Sequence, residues 1–124
     1  MEDTLSCMRD FDGLTEAQST VIENARLELS KIPLIPCTTC NYCAKVCPME
    51  IGISGTFTAK NIYTLYGNAD FAQHQLGWLV GGHGRKPAID CIKCGECVDA
   101  CPQHIRIRKE LESAAALFQQ KKDA

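Results

Sequence analysis

Several of the signals that usually assign a chain to a class are missing here. No apolar run approaches the roughly 18 residues that a membrane-spanning helix needs, so no membrane span is expected. No stretch alternates convincingly between apolar and polar residues, so strands are not expected either. There is no Gly-x-Gly-x-x-Gly following a strand and no phosphate-binding loop, and Gly77-Trp78-Leu79-Val80-Gly81-Gly82 has the wrong spacing for one. Nicotinamide and flavin are therefore not expected as ligands. Positive charge is not in excess: 13 Lys and Arg face 15 Asp and Glu, for a net charge of −2. A nucleic-acid partner is excluded on that ground, because a phosphate backbone is neutralised by surplus Lys and Arg. The start, Met1-Glu2-Asp3-Thr4-Leu5, has neither the basic residues nor the apolar core of a secretory signal, which makes a reducing cytoplasm the expected compartment. No acid/base constellation stands out, so no catalytic residue is proposed.

What the chain has is cysteine: nine in 124 residues. In a cytosolic chain that density points to metal and not to disulfides. Eight of the nine form two runs. The first is Cys37-Thr38-Thr39-Cys40-Asn41-Tyr42-Cys43-Ala44-Lys45-Val46-Cys47-Pro48, and the second is Cys91-Ile92-Lys93-Cys94-Gly95-Glu96-Cys97-Val98-Asp99-Ala100-Cys101-Pro102. Both read C-x2-C-x2-C-x3-C-P, the spacing of bacterial two-cluster ferredoxins. A [4Fe–4S] cube takes four thiolates at tetrahedral corners. Three cysteines spaced by two residues wrap one cube, and the fourth corner lies beyond that loop's reach. In two-cluster ferredoxins the fourth cysteine of each run serves the other cluster. The expected sets are therefore Cys37, Cys40, Cys43 and Cys101 for one cluster, and Cys91, Cys94, Cys97 and Cys47 for the second. Two structural zinc sites could also use eight thiolates, but zinc modules pair one C-x2-C with another and leave the third cysteine of each run without a role. Cys7 is expected to be a free thiol. Tyr42 could shield a cluster or simply pack. His74, His83 and His104 are read as caps or surface residues, and Trp78 as core.

Around the runs the pattern is helical. Residues 1–13 show no clear periodicity and read as an arm or linker, and 14–124 as the cluster domain. Thr15 with Gln18 fits a capping box, opening a helix whose apolar positions are Leu14, Ala17, Val21, Ala25 and Leu29 and which runs to about Lys31. Ile32-Pro33-Leu34-Ile35-Pro36 ends it, because proline disfavours helix in the preceding residue. A spacer of 43 residues separates Cys47 from Cys91. Ala59, Ile62, Tyr63 and Tyr66 mark one helix there, opened near Ser54 and stopped at Gly67-Asn68. Phe71, Gln75, Leu76, Leu79 and Val80 mark another, closed by Gly81-Gly82. His83 to Asp90 reads as a polar loop. Leu111, Ala114, Ala115 and Phe118 mark a last helix of about 12 residues, followed by a solvated Lys121-Lys122-Asp123 tail. The internal repeat is read as the cysteine pattern alone, since its flanks differ.

The fold class expected is all-α, with two cluster-binding cysteine loops. The long helical spacer is unlike the small β-containing ferredoxins and resembles the α-helical ferredoxin fold of succinate dehydrogenase and fumarate reductase iron–sulfur subunits and of dihydropyrimidine dehydrogenase. Phe11-Asp12-Gly13-Leu14-Thr15-Glu16, Ile32-Pro33-Leu34-Ile35-Pro36-Cys37 and Cys101-Pro102-Gln103-His104-Ile105 resemble the C-terminal ferredoxin-like region of certain bacterial aldo/keto reductases. In that family a barrel binds nicotinamide cofactor and substrate, and the cluster domain follows it. The resemblance implies electron transfer through two [4Fe–4S] clusters within a larger oxidoreductase, with residues 1–13 as the connection and a linked reductase domain or a redox protein as partner. The alternative is a structural or interaction module stapled by clusters or zinc, without redox turnover.

Overall fold

The structure is a computed structural model, and it describes residues 2–9 and 11–119. The expected tail at Lys121-Lys122-Asp123 lies outside the described residues. Among those described, seven α-helices and two short 3-10 turns make up the secondary structure, and there is no strand. The nearest thing to β-structure is one isolated parallel bridge between Ile51 and Lys86. Among the described residues no helix is long and apolar enough to cross a membrane.

The chain divides into two units, Met1–Ile32 and Pro33–Ala124. The first holds α1, Glu2–Arg9, and α2, Glu16–Ser30. The arm expected to lack regular structure thus contains a helix. Its ends suit one locally: Glu2 and Asp3 stand in the first turn and Arg9 in the last, complementing the helix dipole. The α2 capping box forms as the sequence predicts. The Gln18 N–H donates to Thr15 Oγ1 (3.3 Å) and the Thr15 N–H donates to Gln18 Oε1 (2.9 Å). Neither helix has a buried residue.

The second unit is built around α4, Ile53–Tyr66. Gly67, at φ +64°, caps α4 in the left-handed conformation that glycine adopts without penalty. Asn68 then caps α5, Ala69–Leu79, by accepting the Phe71 N–H over 2.9 Å. Two residues thus turn the chain back on itself, and α5 packs antiparallel on α4. Contact is close where the hairpin opens: a Cβ on Gly55 would stand 2.7 Å from the Leu79 carbonyl oxygen. The last helix, α7, spans Ile107–Gln119 and also packs on α4. Ala59, Ala72, Ala114 and Phe118 fill the space between these three helices. The buried position of α5 is therefore Ala72, with Phe71 outside. Trp78, expected in the core, is 62% exposed and meets His83 edge to face, at 5.4 Å between centroids. Lys60 on α4 reaches Glu110 on α7 over 2.7 Å, a part-buried ion pair that fixes their register.

The stretch expected as a polar loop is more ordered than that. A 3-10 turn, Gly81–His83, follows α5, and another, Ala88–Asp90, leads into the second cysteine run. Between them Lys86 donates its N–H to the Glu50 carbonyl and accepts from the Gly52 N–H, at 3.1 and 3.0 Å.

Candidate iron–sulfur centre

Each cysteine run has the same local build. After two cysteines the chain enters a short helix, α3 at Tyr42–Val46 in the first run and α6 at Glu96–Asp99 in the second. Both helices are entered through a left-handed residue, Asn41 (φ +61°) or Gly95 (φ +101°). Thr39 and Lys93 (φ +56° and +61°) are also left-handed, and so are Glu50 and His104 (φ +55° and +51°). A left-handed non-glycine residue costs on the order of 1 kcal/mol and persists only where the surroundings require it. Here five of them, with Gly95 as the sixth left-handed residue, fall at three equivalent positions, each pair fifty-four residues apart like Cys37 and Cys91. The strain curls each loop inward, so that its thiols converge.

The equivalence runs past the cysteines. Cys47-Pro48-Met49-Glu50-Ile51-Gly52-Ile53 matches Cys101-Pro102-Gln103-His104-Ile105-Arg106-Ile107 in sequence and in hydrogen bonding. The Glu50 and His104 N–H groups each donate to the carbonyl of the preceding Cys47 or Cys101 at 3.1 Å. The Ile53 and Ile107 N–H groups each donate to the isoleucine two residues earlier, at 2.9 and 2.8 Å. Ile51, Ile53, Ile105 and Ile107 are all buried. The repeat is therefore Cys-Pro-x-x-Ile-x-Ile as well as the cysteine spacing, and the flanks are less different than the sequence reading held. That heptapeptide was the signal available for finding the apolar wall of the site.

Two cavities result, about 330 Å³ each with their mouths included. Cys37, Cys40, Cys43 and Cys101 line one. Cys91, Cys94, Cys97 and Cys47 line the other. Each thus takes three cysteines from one run and the fourth from the other. The remaining walls are mostly apolar: Phe57, Ile105 and Ile107 in the first, Met49, Ile51, Ile53 and Leu111 in the second. The extended segment before Cys37 is held by the Asn61 side chain, which accepts the Ile35 N–H and donates to the Ile35 carbonyl, both at 2.9 Å. The other sequence candidates lie elsewhere. Cys7, His74, His83 and His104 are exposed, and Tyr42 lies beneath Lys45 Nζ (5.6 Å to the ring centroid) and lines neither cavity.

The donor set favours a cluster over a single ion. A tetrahedral zinc thiolate site brings its sulfurs within about 4 Å of one another. Among the described residues no three His, Cys, Asp or Glu side chains gather closely enough to hold one metal ion. A cube of four irons and four sulfides, by contrast, keeps its thiolates apart on opposite corners. Burial raises the Cys43 and Cys97 thiols to about 11, helped by the neighbouring cysteines, so both are protonated at neutral pH without metal. Iron binds the thiolate, so its binding must displace these protons.

A helical unit that converges eight cysteines on two apolar-walled cavities is an iron–sulfur, ferredoxin-like domain. The chain belongs to the 4Fe-4S dicluster domain family, whose model matches residues 36–105. No curated protein and no solved structure matches the chain. Membership brings [4Fe–4S] cluster binding and electron transfer.

Proposed function

We propose that the chain carries two [4Fe–4S] clusters and passes single electrons through them on behalf of a larger cytoplasmic oxidoreductase of the aldo/keto reductase kind, to which it is covalently joined. Cys37, Cys40, Cys43 and Cys101 hold one cluster, and Cys91, Cys94, Cys97 and Cys47 the other. The observation that carries this is the pair of cavities, each lined by three cysteines of one run and the fourth of the other. Crossing by Cys47 and Cys101 would tie each cluster to both runs, whose helices α3 and α6 pack on one another. Short separation is what single-electron exchange requires. The reductase context is supported by the three sequence segments that resemble it, and two of these lie in or at the edge of the separate Met1–Ile32 unit.

Anaerobic reconstitution tests the cluster count: about eight irons and eight sulfides per chain, with visible absorption that bleaches reversibly on reduction. A chain that folds with about two zinc ions and no iron refutes the proposal. Full loading without reduction at any accessible potential would make the clusters structural staples. The reductase context is tested by immunoblot of native extract, where a species much larger than 13.6 kDa is expected, and by absorption of that species once purified, whose clusters should bleach on addition of reduced nicotinamide cofactor as electron donor. A native species of 13.6 kDa refutes the covalent attachment.

A further inference from the structure

The two cavities are related position by position. Adding fifty-four to the first cavity's Cys37, Thr38, Cys40, Asn41, Cys43, Ser54 and Phe57 gives Cys91, Ile92, Cys94, Gly95, Cys97, Arg108 and Leu111 of the second. Subtracting it from Cys101, Pro102, Gln103, Ile105 and Ile107 gives Cys47, Pro48, Met49, Ile51 and Ile53. Only Lys93 is additional. Because the frame is shared, the differences in side chain can be read as a comparison within one molecule.

Among the residues that line the cavities, the chief difference is one of charge. The first cavity is lined by no charged side chain, whereas the second is lined by Arg108, where the first has Ser54, and by Lys93, where the first half has Thr39. Glu112 lies 2.7 Å from Lys93 and offsets that charge, which leaves Arg108 as the net difference. Further out, Lys45 and Arg85 line a cleft beside the first cavity and Arg106, Lys109 and Glu112 a groove beside the second, whose run also carries Glu96 and Asp99 where the first has Tyr42 and Lys45. The Lys93 N–H donates to Cys91 Sγ over 3.4 Å, and in the first set the Ala44 backbone N–H serves Cys43, so each set has one such donor. Finally, Cys47 of the second set is part-exposed, whereas its equivalent Cys101 is buried.

A cluster becomes more negative when reduced. A nearby cation, an N–H donor to a ligand sulfur and access to water each stabilise that state and raise the potential. Building on the two-cluster reading above, we propose that the two clusters are inequivalent: the one held by Cys91, Cys94, Cys97 and Cys47 has the higher potential, and Arg108 is the positioning residue chiefly responsible. The electron of the half-reduced protein then rests at the second cavity, which makes that end the exit and the first cavity the entrance.

Mediated potentiometric titration of the reconstituted chain, followed by electron paramagnetic resonance, tests this. Two separated one-electron steps are expected. Arg108→Ser, which installs the first half's residue, should lower the step at higher potential and leave the other in place. Arg108→Lys should restore it, and Ser54→Arg should raise the lower step and narrow the gap. A purely structural role for Arg108 would not move a potential in either reciprocal direction. Two coincident steps in the unaltered chain overturn the inference, as does Arg108→Ser shifting only the lower step or neither. An iron content near four per chain would instead refute the two-cluster reading, so the two failures are distinguishable.

Discussion

Cys47 and Cys101 are the residues on which the two halves depend. Each follows its own run's third cysteine by only three intervening residues, yet each lines the opposite cavity. Paired substitutions expose that crossing through iron content. Cys47→Ala with Cys91→Ala removes two ligands from one crossed set, so one cluster and about four irons should survive. Cys37→Ala with Cys47→Ala takes one thiolate from each crossed set, so neither cluster keeps four thiolates and no intact [4Fe–4S] cluster should remain. If each run served its own cluster the results would be exchanged. Iron analysis after anaerobic desalting reads the outcome. The single changes alone are less informative, because a cluster lacking one thiolate can linger with water or a smaller core.

Elements hold these cysteines in place, and α4 does most of it. Its Asn61 amide takes the role a neighbouring strand would play for Ile35, pairing with both the N–H and the carbonyl of a buried residue. Asn61→Leu keeps the volume and removes both bonds, leaving two backbone groups without partners. A loss of about 1–3 kcal/mol is expected in reversible denaturation. The cluster bound next to Cys37 should also be the first released. An unchanged midpoint would show that water replaces the amide. Much of this level was legible in the sequence. The capping box at Thr15, the stop at Gly67-Asn68 and the last helix all follow from local chemistry that acts over three or four residues. What was not legible was set by contacts distant in sequence. The register of α5 follows from the narrow gap beside α4 and α7, which admits Ala72 but not Phe71. Trp78 lies outside because α5 ends there and the chain turns away with Gly81–His83. The four- and five-residue helices inside the runs are too short to show periodicity. They exist because left-handed residues on their N-terminal side aim them.

For the molecule as a whole, cluster and core are not separate. Cys43, Cys97 and Cys101 belong to the same buried group as Ile35, Ile51, Ile53, Phe57, Ile105, Ile107 and Leu111. Each of those apolar side chains contributes about 1.5–3 kcal/mol by leaving water, but only if the walls close on something. Without clusters the thiols of each cavity lack a common partner, and five left-handed non-glycine residues retain their strain with no ligand geometry to justify it. Anything that binds the folded state alone stabilises it, the more so the tighter it binds, and crossed ligation would give each of two clusters a hold on both halves. Depletion by oxidant and chelator should therefore lower the melting temperature of the Pro33–Ala124 unit and broaden its transition, with loss of helical circular dichroism from α4 and α7. The helices of Met1–Ile32 bury nothing, so their signal should be insensitive to iron. Because each half is fixed to the other through Cys47 and Cys101, removing one cluster should cost more than half of the total stabilisation. A series of partially loaded samples, melted by calorimetry, gives that ratio. A strictly proportional fall with iron content would mean that the two cavities stabilise the fold independently, contrary to the crossed geometry.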